Sequence, residues 1–115
     1  MASNTREIPH EEWRGYFDSF SRDLGELVAT LEVTGDDIGA QVEAESARLA
    51  SITYDDKDDI LVIGLDAIGG ISEDLERVVE KPLAIYLETE DGGLLTFDVE
   101  DAEGHKTLLR LAPPG

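Results

Sequence analysis

PHEEWRGYFDSFSRDL, residues Pro9 to Leu24, is the stretch that decides the fold. Trp13, Tyr16, Phe17, Phe20 and Leu24 recur at i, i+3, i+4, i+7 and i+11, the spacing of one helical face. Pro9 suits the first helical position, where a missing N–H costs nothing. Glu11 and Glu12 then lie in the first turn, where carboxylates complement the helix dipole. Gly25 follows as a stop signal. Gly15 is a poor fit, costing about 1 kcal/mol relative to Ala inside a helix. Ile8 is a poor cap, so Asn4 or Thr5 offers a looser start. The four aromatic residues read first as a core face, because an amphipathic helix needs a sheet to cover. The other reading is a surface for a partner or ligand.

Outward from Gly25 the period changes from helical to alternating. Leu27 to Thr34 places Leu27, Ala29, Leu31 and Val33 on one face, and Asp36, Asp37 and Gly39 make a turn. Gly39 to Glu45 alternates Ala40, Val42 and Ala44 against Gln41, Glu43 and Glu45, a strand with one wet face. Leu49 to Tyr54 is a third strand. Ile60 to Leu65 is a fourth, apolar on both faces and so central or covered. Asp55-Asp56-Lys57-Asp58-Asp59 is the hairpin loop between them. Ile71 to Glu80 fits either a short helix capped by Ser72 or a strand, with a slight lean to the helix; Pro82 ends both. Leu83 to Thr89, Leu94 to Glu100 and Lys106 to Leu111 complete the strands, with turns at Asp91-Gly92-Gly93 and Asp101-Ala102-Glu103-Gly104.

One helix followed by hairpins, with no βαβ pattern, makes an α+β fold. The expected architecture is an N-terminal amphipathic helix on a curled antiparallel sheet, a partial barrel, of about seven strands. The 115 residues suit a single domain, 1–115, with residues 1–7 and 112–115 as flexible ends. Such a chain buries about two thirds of the surface its unfolded form exposes, enough for one core.

Several segments resemble a prokaryotic family of small domains of unknown function. They are Arg6-Glu7-Ile8-Pro9 with Trp13, Phe17, Phe20 and Ser21; Gly39 to Ala44; Ile52 to Asp55 with Asp59 to Ile63; Pro82 with Ile85; and Asp101 to Gly104 with Leu108 to Leu111. The resemblance spans nearly the whole chain. Its motifs mark a helix start, hairpin turns and strand ends rather than chemistry, so it implies no activity, cofactor or catalytic residue. The family pattern often carries a His before the proline; Leu75 to Glu80 has none.

Charge decides most about partners. There are 27 Asp and Glu against 9 Lys and Arg, a formal net charge of -18, spread along the chain. A surface this negative repels phosphate backbones and anionic lipids, so neither nucleic acid nor a membrane is an expected partner. A basic protein is the partner class the charge admits. Acidic surfaces with few lysines also suit a salty cytoplasm, since salt screens their repulsion. MASNTREIPHEEW lacks an apolar stretch, and there is no Cys, so the expectation is a cytoplasmic protein without leader or disulfides.

No constellation for an enzyme stands out, and no cofactor is implied. His10 and His105 are the only histidines and both read as solvated. Asp55, Asp56, Asp58 and Asp59 are the weak candidates for a divalent cation, since hard carboxylate oxygens on a tight loop suit such ions. The loop lacks the glycine and distal Glu of an EF-hand, and Lys57 opposes a cation, so a charged turn is the plainer explanation. A non-enzymatic accessory or interaction domain is the expected function; the alternative is a small-ligand or weak cation binder using that loop or a barrel cleft.

Overall fold

A computed structural model describes residues 3–23, 25–35, 39–66 and 75–113. Eight strands lie among them: β1 (Ser3–Glu7), β2 (Val28–Gly35), β3 (Gly39–Asp55), β4 (Ile60–Asp66), β5 (Leu75–Glu80), β6 (Pro82–Glu90), β7 (Leu94–Asp101) and β8 (Lys106–Ala112). The helix α1 (Trp13–Arg22) follows a single 3-10 turn, His10–Glu12. Pro9 is therefore extended and sits before the helix rather than in its first position, and its carbonyl accepts from the Glu12 N–H at 2.9 Å. Leu24 lies outside the described residues, as do Asp36, Asp37 and Ser72.

All eight strands pair antiparallel in the order β1-β6-β7-β8-β2-β3-β4-β5. β1 is an addition to the sequence reading. Residues 3–7, expected to be flexible, pair with the far end of β6, Glu7 opposite Tyr86. Three of those five side chains are neutral and polar and the other two, Arg6 and Glu7, are charged, so no alternation announces the strand; the free backbone edge of β6 recruits it. At the other terminus Ala112 belongs to β8, opposite Val28, and residues 114–115 lie outside the described ones.

The sheet is open, not the expected curled partial barrel of about seven strands. Its edge strands, β1 and β5, do not pair with one another. The reason is α1, which lies between the β6–β7 half and the β3–β4 half. Phe17 meets Phe97 of β7 with ring centroids 5.4 Å apart, while Trp13 meets Tyr54 of β3 at 5.1 Å. A helix is about 10 Å across, so edges separated by one cannot hydrogen-bond. Sheet twist brings the halves together at one corner only, where Lys81 alone links β5 to β6. Its φ of 51° makes the corner, with its N–H on the Asp59 carbonyl and its own carbonyl accepting from Ala102 N–H.

Two further expectations change. The strands read as Gly39–Glu45 and Leu49–Tyr54 are one 17-residue strand, β3, which runs through an irregularity in its pairing with β2, between the Ala29–Ala47 and Leu31–Ala44 pairs. Irregular register with β2 sets Val42 directly opposite Glu32 on the outer face, so Val42 is 53% exposed. Bulges, rather than the hydrophobic pattern, choose the face there. The segment read with a lean to helix is a strand over Leu75–Glu80, because β4 offers it a free edge from Ile60 to Leu65. Residues 71–74 lie outside the described ones.

The core is the sheet face under α1. Ala29, Leu31, Ile52, Leu61, Ile63, Ile85, Phe97, Val99 and Leu109 are fully buried together with Ile8, Trp13 and Phe17. β4, which the sequence shows as apolar throughout, buries Leu61, Ile63 and Leu65 and leaves the alternate positions half-buried.

Candidate functional site

The helix divides its aromatic residues into two pairs. Trp13 and Phe17 are buried and hold α1 to the sheet. The Trp13 indole N–H donates to the Ile8 carbonyl at 2.8 Å, and the Ile8 N–H donates to the Ile85 carbonyl of β6 at 2.8 Å. Ser21 fixes the other end of α1. Its hydroxyl donates to the Ile52 carbonyl at 2.6 Å and accepts from the Ile52 N–H at 3.0 Å. β2 pairs with β3 only as far as Arg48, which leaves the later backbone of β3 without a strand on that side. Ser21 and the Leu27 carbonyl, which accepts from Leu49 N–H, take the place of that strand.

Tyr16 and Phe20 form the second pair. They are half-buried against the core, and their rings stack at 6.3 Å with 10° between planes. Beyond them runs a groove of about 720 Å³ between α1 and the following segment. Gly15, Ser19 and Leu27 line it with the two rings, and Glu12 and Asp23 lie at opposite ends of the helix that walls it. A side chain at Gly15 would meet nothing within 4 Å, so the glycine leaves the helix backbone open to an approaching chain. Arg6 places its guanidinium 5.7 Å from the Tyr16 ring centroid, so this aromatic face already receives one cation. Burial pushes the Tyr16 phenol above its ordinary value of 10.0, with Arg6 acting in the opposite direction.

The acidic loop folds as a turn rather than a cage. The Asp55 carboxylate accepts from the backbone N–H groups of Lys57 at 2.9 Å and Asp58 at 3.3 Å. Asp56 faces Arg14 at 3.5 Å. Asp59 takes a left-handed φ of 54°, and its carboxylate accepts from the Tyr54 hydroxyl at 2.7 Å. Burial, then Asp59, pushes the Tyr54 phenol up to about 12. Among the described residues no group of three or more His, Cys, Asp or Glu is placed to hold a metal ion.

Both histidines lie outside the strands, His10 in the 3-10 turn before α1 and His105 in the turn between β7 and β8. His10 is exposed, with its ring edge-on to Trp13 at 4.4 Å and its Nε2 3.3 Å from the Tyr54 hydroxyl. His105 is not solvated as expected: its side chain is 19% exposed and its Nδ1 lies 3.8 Å from Asp101. The sequence flags Tyr16 and Phe20 through their spacing. It gives no sign that Gly15 and Leu27 share a groove, since that depends on where the chain turns after α1.

A family model described as a family of unknown function, DUF5335, matches residues 4–115. An uncharacterized protein of Aquifex aeolicus (strain VF5) is similar at 38% identity over 109 residues, covering 95% of this chain and 93% of that one. No solved structure matches the chain.

Proposed function

The chain belongs to this family of unknown function, DUF5335, whose membership brings no activity with it, and we propose that it is a non-enzymatic interaction domain. Its groove beside α1 takes a basic segment of another protein, with one apolar side chain seated on Tyr16 and Phe20. The carrying observation is the stacked, half-exposed pair of rings on a groove with Glu12 and Asp23 at its ends. Aromatic anchors with a charged rim are the usual anatomy of a contact patch. A net charge of -18 steers cationic partners and repels nucleic acid and anionic membranes. The same charge suits a salty cytoplasm.

The test is calorimetric titration with the acetylated and amidated peptide Lys-Lys-Leu-Lys-Lys at low salt. The expected result is binding that weakens roughly thirtyfold or more when the peptide's Leu becomes Ala, as for an anchor worth about 2 kcal/mol. Phe20→Asp and Gly15→Leu weaken it likewise, the second by filling the groove where a side chain meets open space. Glu76→Lys, on β5 away from the groove, leaves it unchanged. Equal binding by wild type, Phe20→Asp and Gly15→Leu overturns the assignment.

A further inference from the structure

We propose that the free edge of β5 adds a strand from another protein, an extended segment whose outer face carries basic residues on either side of an apolar one. β5 pairs with β4 on one side, and among the described residues no strand pairs with its other side. A cleft of about 350 Å³ opens between β5 and the β7–β8 turn. Arg77 pairs with Ile63 and alternates with buried Val79, so it lies on the core side of β5, while Val78 and Glu80 lie on the outer side. All three line the cleft, so it runs along the backbone edge rather than over either face. A row of unpaired backbone N–H and C=O groups beside open space is a template that an extended chain completes.

The side chains of β5 decide which strand fits. On its outer face Glu76, Val78 and Glu80 alternate, and all three are exposed. Opposite charges directly across two strands stabilise the pair, and like charges destabilise it. A complementary strand therefore carries a cation opposite Glu76, an apolar residue opposite Val78 and a cation opposite Glu80. On the core side the Arg77 Nε is buried without a hydrogen-bond partner, and a carboxylate opposite Arg77 completes the pattern. A second copy of this chain does not fit. Core-side residues must stay opposite core-side residues for the sheet to continue. The antiparallel registers that overlap β5 most fully with itself then set Arg77 against Arg77, or Glu76 against Glu80 at both ends. The net charge of -18 opposes that pairing further. Charge thus bars the edge to its own copy and leaves it open to a strand of the complementary pattern.

The test is calorimetric titration of the full chain with the acetylated and amidated peptide Thr-Lys-Thr-Val-Glu-Lys-Thr, followed by amide hydrogen exchange. Antiparallel to β5, this peptide sets its lysines opposite Glu80 and Glu76, its valine opposite Val78 and its glutamate opposite Arg77. Binding is expected to protect the alternate amides of β5 that point away from β4, and to leave exchange in α1 unchanged. Glu76→Lys combined with Glu80→Lys, both at exposed positions, weakens binding roughly tenfold, and a peptide with glutamates in place of its two lysines recovers it. Phe20→Asp leaves binding unchanged, which separates this edge from the groove beside α1. Lys-Lys-Leu-Lys-Lys sets a lysine opposite Arg77 in either direction, so the peptide for the groove does not serve this edge. No heat, no new protection in β5, or loss of binding in Phe20→Asp overturns the proposal. So does a dimer of the chain in sedimentation that the peptide breaks, since the occupant of the edge would then be a second copy.

Discussion

At the scale of single residues, two side chains carry more than their type suggests. Ser21 satisfies both backbone groups of Ile52 at the place where β3 outruns β2. Ser21→Ala leaves that N–H and C=O without their partner, and a stability loss of about 1–3 kcal/mol is expected by chemical denaturation. A loss below the precision of the measurement would mean that water replaces the hydroxyl. Asp98, on the outer face of β7 opposite Tyr86 and Leu108, has a carboxylate oxygen that is buried and unpartnered. Its carboxyl lies above the ordinary 3.8, first through burial and then through Glu100, against the pull of Lys106. A raised folded value favours the neutral form. The contribution to stability is thus fully present below pH 3.8 and is lost as pH rises through the folded value. Asp98→Asn is therefore expected to raise the unfolding midpoint at pH 7 and to lose that advantage below pH 4 or so. A midpoint gain that is equal at both pH values would show that ionisation is not the cause. Neither residue's role is legible in the sequence. Ser21 needs the end of β2, and Asp98 needs its neighbours on β6 and β8.

At the scale of elements, α1 was legible and its surroundings were not. The spacing of Trp13, Tyr16, Phe17 and Phe20 gives a helix with one aromatic face, and all four rings reach the core or its margin. Trp13→Ala and Phe17→Ala should each cost about 3–5 kcal/mol, as buried aromatics do. An unchanged melting temperature would place that face in solvent. What periodicity left hidden was the split of the face, because a helix touching two halves of a sheet buries a narrower stripe than its apolar arc. The pattern of β3 reads as two strands for a related reason. A bulge interrupts alternation without ending the strand, and backbone pairing with β2 and β4 carries it through. β1 has no strand pattern and β5 fits helix as well as strand because each is an edge strand, made by the free backbone of β6 or β4 rather than by its own pattern.

At the scale of the whole molecule, charge and sheet closure set the behaviour. With 27 acids and 9 bases, at least 18 carboxylates lack a cation even if every base takes one. The pairs that do form, such as Arg48–Asp66 and Arg110–Glu32 at 2.9 Å, are at the surface and contribute little each. Mutual repulsion therefore dominates and salt relieves it. The unfolding midpoint is expected to rise steadily from low to molar KCl, and a flat midpoint would mean that the repulsion is already balanced. The sequence by itself determined the helix, its core-facing aromatic residues, six of the hairpin strands in outline, the antiparallel class and the acidic surface. These follow from local period and composition, which each segment carries within itself. Only the tertiary structure decided that the sheet stays open, that β1 and β5 become its edges, and that Tyr16 and Phe20 face a groove. Those outcomes depend on which backbone edges remain free and on a helix that keeps the two halves of the sheet apart, and both are properties of segments distant in the chain.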